Sequence, residues 1–127
     1  MKKEIIYTDE APAAVGAYSQ AVKAGNTIYF SGQIAIDPET EKIIKGGVEL
    51  QTTRVMENLK AVLKEAGCDF SNVVKVEIFL ADINDFQAVN KIYADYFEEE
   101  PPARACMEVG ALPKGVDVEI SLTAVRF

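Results

Sequence analysis

The sequence predicts an α+β fold, in which one mixed β-sheet is covered on one face by two helices. Two segments repeat apolar residues with the period of an α-helix, and the remaining apolar segments alternate as β-strands do. Their order along the chain is three strands, a helix, a strand, a second helix and two strands. A chain of 127 residues buries about two thirds of its surface without disulfides or a metal. We therefore expect a single domain over residues 1–127.

The first third of the chain is predicted to contain three strands. The segment that begins at Glu4 is the first, and residues 9–19, rich in small residues, form a loop. Two β-rich runs follow, 20–24 and 27–31. Gly25-Asn26 between them suits a tight hairpin, because both residues tolerate positive φ.

Two amphipathic helices are predicted from their apolar stripes. The first stripe predicts a helix of about 18 residues that ends at Gly67, and its residues are Val55, Leu59, Val62, Leu63 and Ala66. The second helix is capped by Asp82 or Asn84 and stopped by Pro101-Pro102. Its stripe consists of Phe86, Val89, Tyr93, Tyr96 and Phe97.

Three alternating segments complete the sheet: residues 73–80, 103–109 and 116–126. In the first of them, Val74, Val76, Ile78 and Leu80 are assigned to one face. The helices are expected to cover the face of Val, Ile and Leu side chains. The other face is expected to carry Tyr29, Phe79, Arg104, Cys106, Glu119, Ser121, Thr123 and Val125. Such a face is either solvated or packs against copies of the chain, and both interpretations stay open.

Composition excludes several classes of partner. The net charge is −7, and the basic residues are scattered without a Lys/Arg stripe, so we expect no nucleic-acid partner. No apolar run approaches the ~20 residues that span a bilayer. The N-terminal segment lacks the apolar region of a signal peptide. We therefore expect a cytoplasmic protein that does not interact with membranes.

Missing residue types narrow the chemistry. The chain has no histidine, which removes Ser-His-Asp and Cys-His pairs and the commonest general base. Its two cysteines, Cys68 and Cys106, form no CxxC. There is no GxGxxG or GxxxxGK[ST] motif. We expect neither a metal site nor a cofactor.

Two charged residues are the first candidates for chemistry. Arg104, at the start of a strand after Pro101-Pro102, has the shape to hold a carboxylate bidentately. The alternative is an ordinary surface arginine. Glu119 lies in an otherwise apolar and small-polar strand, where it is either solvated or able to orient and deprotonate a water molecule.

Five further residues have an ordinary interpretation beside a functional one. Cys106 shares a strand face with Arg104, and packing is its ordinary role. Tyr18 either covers apolar surface or hydrogen-bonds a ligand. Ser31-Gly32 is either a strand end or a place where backbone N–H approaches a ligand. Asn90 is either a surface residue of the second helix or part of a site.

Five collinear strings resemble motifs of the Rid (YjgF-type) family over residues 3–126. They are APAAVGAYSQAV, IYFSGQIAIDPET, NLKAVLKEAG, VVKVEIFLADINDFQAVNKIYADYF and PPARACMEVGALPKGVDVEI. The resemblance implies a chorismate-mutase-like α+β fold. It further implies a homotrimer, with the sheets packed into a central barrel-like core and ligand clefts between subunits.

The resemblance also implies an activity. Family members of this type hydrolyse 2-aminoacrylate and 2-iminobutanoate to 2-oxo acids and ammonia, without a cofactor. By matching position, Arg104 binds the substrate carboxylate, the Gly32 backbone assists it, and Glu119 positions the attacking water. Further residues that match cleft positions are Tyr18, Ser31, Phe86, Asn90 and Cys106.

Two positions depart from the family pattern, and two other functions remain open. Ala17 replaces a proline that commonly precedes the tyrosine, and Ser121 replaces a common acidic residue, so substrate preference is the property in question. One alternative is a non-catalytic module that binds 2-oxo acids in the same cleft. The other is a surface-driven role such as chaperone activity or RNA cleavage, which the anionic charge disfavours.

Overall fold

The computed structural model describes residues 2–127, which form a six-stranded sheet covered by two helices. The elements are β1 (Glu4–Ile6), β2 (Ala21–Ala24), β3 (Thr27–Phe30), α1 (Val48–Glu65), β4 (Val73–Leu80), α2 (Phe86–Ala94), β5 (Ala103–Glu108) and β6 (Val118–Val125). The strand order is β1-β2-β3-β6-β4-β5. Only β4 and β5 pair in parallel, because α2 crosses over between them. The predicted α+β class and order of elements are confirmed.

Helix α1 packs on the sheet through its predicted apolar stripe. Val55, Leu59, Val62 and Leu63 are fully buried against Ile78 and Ile120 and their neighbours in one core cluster. The helix ends where predicted, at Gly67, whose φ of 75° is a left-handed conformation that favours glycine. No helix within residues 2–127 is both long and apolar enough to cross a membrane.

Strand β4 differs from its predicted alternation at one end. The register with β6 shifts between Val73 and Lys75, so Val73 is buried and Val74 is exposed. A bulge adds one residue to one strand and thereby exchanges the two faces on one side of it. The assignment of Val74 to the core face was therefore wrong, whereas Val76, Ile78 and Leu80 are buried as predicted.

Helix α2 is shorter than its apolar stripe predicted. It ends at Ala94, well before Pro101-Pro102. Tyr96 and Phe97 lie beyond the helix and contact Phe70 edge-on, with ring centroids 5.2 Å apart in each pair. Aromatic packing thus continues the apolar pattern after the helical hydrogen bonds stop. Asp82 caps a short 3-10 turn over residues 83–85, which leads into α2.

The two faces of the sheet were partly misassigned. Arg104 and Cys106 on β5 are in register with the buried Val76 and Ile78 on β4, so both side chains lie on the helix-covered face. Alternation separates the two faces of a strand but does not say which face is covered. The predicted placement of Arg104 and Cys106 beside Glu119 was therefore wrong.

The uncovered side, here called the open face, carries the other six predicted residues. They are Tyr29, Phe79, Glu119, Ser121, Thr123 and Val125, with Met107 added from β5. Tyr29 is 56% exposed and Met107 37% exposed. The open face is therefore apolar in part and is covered by no other element within residues 2–127.

Candidate active site

The predicted site residues form two clusters on different sides of the sheet. The arginine cluster lies where β5 meets α2 and contains Arg104, Phe86, Asn90 and Cys106. The glutamate cluster lies at the end of β3 and the start of β6 and contains Glu119, Gly32, Ser31 and Tyr18.

In the arginine cluster, α2 holds the guanidinium of Arg104. Nη1 of Arg104 donates a hydrogen bond to Oδ1 of Asn90 at 2.6 Å. Cζ of Arg104 lies 5.3 Å from the ring centroid of Phe86 and 5.0 Å from that of Tyr93, which is cation–π distance. Phe86, Asn90 and Tyr93 are spaced i, i+4 and i+7, so one face of α2 presents all three.

A cleft of about 420 Å³ opens beside this cluster. Its lining residues are Asn90, Tyr93, Ala94, Phe97, Pro101, Pro102 and Arg104. Because β5 is an edge strand, Arg104 remains exposed even though it lies on the helix side. The cleft can therefore present the free N–H groups of the guanidinium to a small anion.

Sequence reasoning missed Tyr93 as a residue of this cluster. It was assigned to the apolar stripe of α2, and it is indeed buried, at 4% exposure. The i+3 spacing from Asn90 is the signal that would have placed it beside Arg104.

Cys106 packs at the base of the arginine cluster and is not activated. It is half-buried and contacts the hydrophobic core. Burial raises the pKa of its thiol, and the nearby Arg104 guanidinium opposes that effect. A raised pKa keeps the sulfur protonated and weakly nucleophilic. The arrangement fits a packing role for Cys106.

In the glutamate cluster, Glu119 lies directly against Gly32. A Cβ atom added to Gly32 would overlap Oε2 of Glu119 and would stand 2.9 Å from its Cδ. The Gly32 segment is held in place by Gln33, whose N–H and C=O pair with Ile120 at 2.8 and 3.1 Å. Asn58 on α1 holds the following residues through the carbonyls of Ile34 and Ile36.

The loop that carries Tyr18 is tied to the same place. Oγ of Ser31 donates to the carbonyl of Ser19 at 2.5 Å, and the N–H of Ser31 donates to the carbonyl of Gln20 at 3.0 Å. The buried Gln20 side chain accepts from the N–H of Thr8 and donates to the carbonyl of Pro12. The loop is thus held beside Ser31, and the Tyr18 side chain, 54% exposed, lies next to Gly16.

The electrostatic state of Glu119 suits proton transfer. The side chain is half-buried, and this burial raises the pKa of its carboxyl group above the ordinary value. No hydrogen bond within residues 2–127 compensates the buried carboxylate. A carboxyl group of raised pKa both accepts and returns protons closer to neutral pH than an exposed glutamate does.

Gly32→Ala is expected to lower turnover about 10- to 100-fold, because the new methyl group displaces the Glu119 carboxylate by roughly 1 Å or more. Gly32 has no positive φ, so alanine is not strained there and the fold is retained. The measurement is kcat for imine hydrolysis. Gly110→Ala is the matched control, since a Cβ there meets open space. Wild-type kcat in Gly32→Ala would contradict the role given to this contact.

The two clusters of one chain do not form a single site. Glu119 is in register with Phe79 on β4, and Phe79 with Met107 on β5. Arg104 is therefore two strands and three residues away, about 10 Å in each direction, and on the opposite face. The main chain of an imino acid is roughly as long as one extended residue, about 3.6 Å. One small ligand cannot contact both clusters of the same chain.

The arrangement offers no obvious metal site. Within the described part of the chain, no three Cys, Asp or Glu side chains lie together so as to hold a metal ion. The only strong cation at either cluster is the guanidinium of Arg104.

Comparisons with known proteins agree on one family. The model of the family described as endoribonuclease L-PSP matches residues 8–126. A RutC family protein of Pyrococcus abyssi is 51% identical over 99% of both chains. A 2-iminobutanoate/2-iminopropanoate deaminase of Rattus norvegicus is 52% identical over 98% of this chain and 90% of the relative.

A solved structure extends the agreement from sequence to fold. The crystal structure of a Rid-family protein of Yersinia pestis has a TM-score of 0.97 and 45% identity, covering 98% of this chain and all of the other. Similarity at this level covers both clusters and every element of the sheet. The chain therefore belongs to the Rid (YjgF) family, whose model carries the description endoribonuclease L-PSP.

Proposed function

We propose that this protein hydrolyses reactive 2-imino acids, such as 2-iminobutanoate and the imine form of 2-aminoacrylate, to 2-oxo acids and ammonia. The observation that carries the proposal is the guanidinium of Arg104, held by Asn90 and two aromatic rings at the edge of an open cleft. A fixed guanidinium recognises a carboxylate bidentately. The deaminase name of the rat relative supports the same reaction.

The reaction requires one proton-transfer group near the imine carbon. Water adds to the carbon of the protonated imine, and Glu119 takes the proton that water releases. Glu119 then passes this proton to the nitrogen of the carbinolamine. As the C–N bond breaks and ammonia leaves, the C=O bond forms, and the hydroxyl proton passes through the Glu119 carboxylate to ammonia, which departs as ammonium. Water and substrate supply all atoms, so no electron carrier is involved. Holding the carboxylate and a polarised water in place supplies most of the acceleration.

The separation of the clusters supports a site that two copies of the chain share. In this proposal Arg104 comes from one copy, and Glu119, Gly32 and Tyr18 come from its neighbour. The apolar part of the open face, with Tyr29 and Met107 exposed, is the surface through which copies pack. A homotrimer whose open faces meet at a central core places the edge strand β5 of each copy beside the next copy.

The direct test of the proposed activity is a coupled assay. A threonine dehydratase generates 2-iminobutanoate, and we expect the protein to speed the appearance of ammonia and 2-oxobutanoate above the uncatalysed rate. Bovine serum albumin at the same mass concentration serves as the protein control. If the protein binds 2-oxobutanoate but leaves the rate unchanged, it is a binding module and the proposal is wrong.

The proposed trimer is tested separately, by measuring the mass of the assembly in solution. Light scattering coupled to size exclusion is expected to give about three times the 13.9 kDa mass of one chain. A monomer at assay concentrations that still turned over substrate would contradict a shared site.

A further inference from the structure

The hydroxyl oxygen of Tyr93 is buried, and no hydrogen bond of normal geometry reaches it. It is the only such side-chain atom within residues 2–127. Other buried polar side chains are satisfied: the Asn58 amide, for instance, contacts two carbonyls. Phenylalanine at this position would pack equally well and would avoid burying an unpaired hydroxyl. Packing alone therefore explains the ring of Tyr93 but not its oxygen atom.

The position of this hydroxyl is next to the guanidinium of Arg104. The Tyr93 ring lies 5.0 Å from Cζ of Arg104. Burial raises the pKa of the Tyr93 hydroxyl, and Arg104 acts in the opposite direction, both through its charge and as a hydrogen-bond donor close to this oxygen. Arg104 is thus the charged donor whose field reaches this oxygen.

Arg104 has more N–H donors than it has hydrogen-bond acceptors within residues 2–127. A guanidinium has five N–H donors, and a bidentate carboxylate uses two of them. Asn90 takes one, and it is the only side-chain or backbone acceptor of Arg104 within residues 2–127. In the unliganded protein the others face water, since Arg104 is exposed. When a ligand covers the guanidinium, that water leaves and the remaining N–H groups need protein acceptors.

We propose that Tyr93 is a positioning residue for the anion site. Its ring supports the guanidinium of Arg104. In the liganded protein its hydroxyl oxygen is the second acceptor, after Asn90, for an N–H group of Arg104. This inference rests on the proposed function, because it concerns how the same arginine holds a carboxylate. In the liganded protein the buried hydroxyl is thereby fully paired with the guanidinium.

The test is Tyr93→Phe, which keeps the ring and removes the oxygen. We expect Kd for 2-oxobutanoate and KM for the imine to rise about 3- to 10-fold, as for the loss of one hydrogen bond in the liganded state. We expect kcat to stay within about 2-fold and Tm not to fall, because an unpaired buried hydroxyl has been removed. Isothermal titration measures Kd, the coupled assay measures KM and kcat, and calorimetry measures Tm. Unchanged Kd and KM would overturn the proposal, and so would a lower kcat with unchanged Kd.

Tyr96→Phe, two residues beyond the end of α2, is the matched control. The hydroxyl of Tyr96 donates to Glu57 at 2.8 Å and belongs to neither cluster. Its removal is expected to lower Tm and leave Kd unchanged. If Tyr96→Phe weakens Kd as much as Tyr93→Phe does, the loss belongs to this end of α2 in general and the proposal fails.

A double-mutant cycle shows whether Tyr93 acts through Arg104. In an Arg104→Lys background, Tyr93→Phe is expected to change Kd by less than about 2-fold, since the fork of N–H donors is gone. An equal loss in both backgrounds would overturn the positioning role. The proposed function fails separately: it fails if Arg104→Ala stays fully active, whatever Tyr93→Phe does. If Arg104→Ala is inactive and Tyr93→Phe binds as the wild type does, only the role of Tyr93 is wrong.

Discussion

Arg104→Ala is expected to reduce imine hydrolysis to the uncatalysed rate. Removing the charged partner of a desolvated carboxylate lowers kcat/KM by about 100-fold or more. The fold is expected to survive, because Arg104 is exposed and contributes only one hydrogen bond and two cation–π contacts. The coupled dehydratase assay measures the loss, and light scattering checks the assembly.

Arg126→Ala provides the matched control for this experiment. Arg126 is also an exposed arginine, but it lies beside Gly67 and Cys68, away from both clusters. Its substitution removes the same charge, and we expect wild-type kcat/KM. Full activity in Arg104→Ala would remove the basis for the proposed function.

Glu119→Gln is expected to lower kcat about 10²- to 10⁴-fold while Kd for 2-oxobutanoate changes little, since the amide cannot accept a proton from water. Glu77→Gln is the control on the same open face, where Glu77 lies 3.5 Å from Ser121 and outside the cluster. Equal losses in kcat and in binding by Glu119→Gln would indicate a purely binding role for Glu119.

The pH dependence of Glu119 follows from its burial. Burial raises the pKa of Glu119, so as the pH falls the carboxylate is protonated earlier than an exposed glutamate would be. The kcat of the wild type should therefore fall on the acidic side, and Glu119→Gln should lack this limb. A raised pKa also means that folding favours the protonated form. That stabilisation is present at low pH and is lost as pH rises through the raised pKa, so the neutral glutamine should not lower Tm at neutral pH.

Mixing the two variants tests whether the site is shared. In the proposed trimer, refolding Arg104→Ala and Glu119→Gln copies together creates some interfaces where an intact Arg104 meets an intact Glu119. We expect these mixtures to recover part of the wild-type activity, although each parent lacks it. Mixtures as inactive as their parents would indicate that each site is built from one chain.

Most elements of the fold could be predicted from periodicity, and the errors have physical causes. The apolar stripe of α1 and the alternating residues of β6 are long enough to identify the first as a helix and the second as a strand. At Val74 a bulge moves the side chain from the predicted core face to the exposed face. Beyond Ala94 the aromatic residues pack on Phe70 outside the helix, although their spacing continues the apolar stripe of α2. Both are tertiary effects, because they depend on a partner strand or on Phe70 rather than on local sequence.

The sequence supplied candidate site residues but not their geometry. The family motifs pointed to Arg104 and Glu119, and strand alternation placed both on one sheet face. Arginine usually faces solvent, and only the parallel pairing with β4 shows that Arg104 lies on the helix side of an edge strand. Tyr93 was assigned to the core for the same reason: its ring is buried, and sequence does not show that its hydroxyl lacks a partner.

The placement of Arg104 and Glu119 on opposite sides of the sheet has a consequence for enzyme kinetics. If both are needed in one site, specific activity is a property of the assembly and depends on protein concentration. On dilution below the dissociation constant of the assembly, the rate per chain should fall more steeply than linearly, and added 2-oxo acid should shift the equilibrium toward the assembly by bridging the subunits. A given increase in the concentration of the protein would then raise the rate of imine hydrolysis by a larger factor.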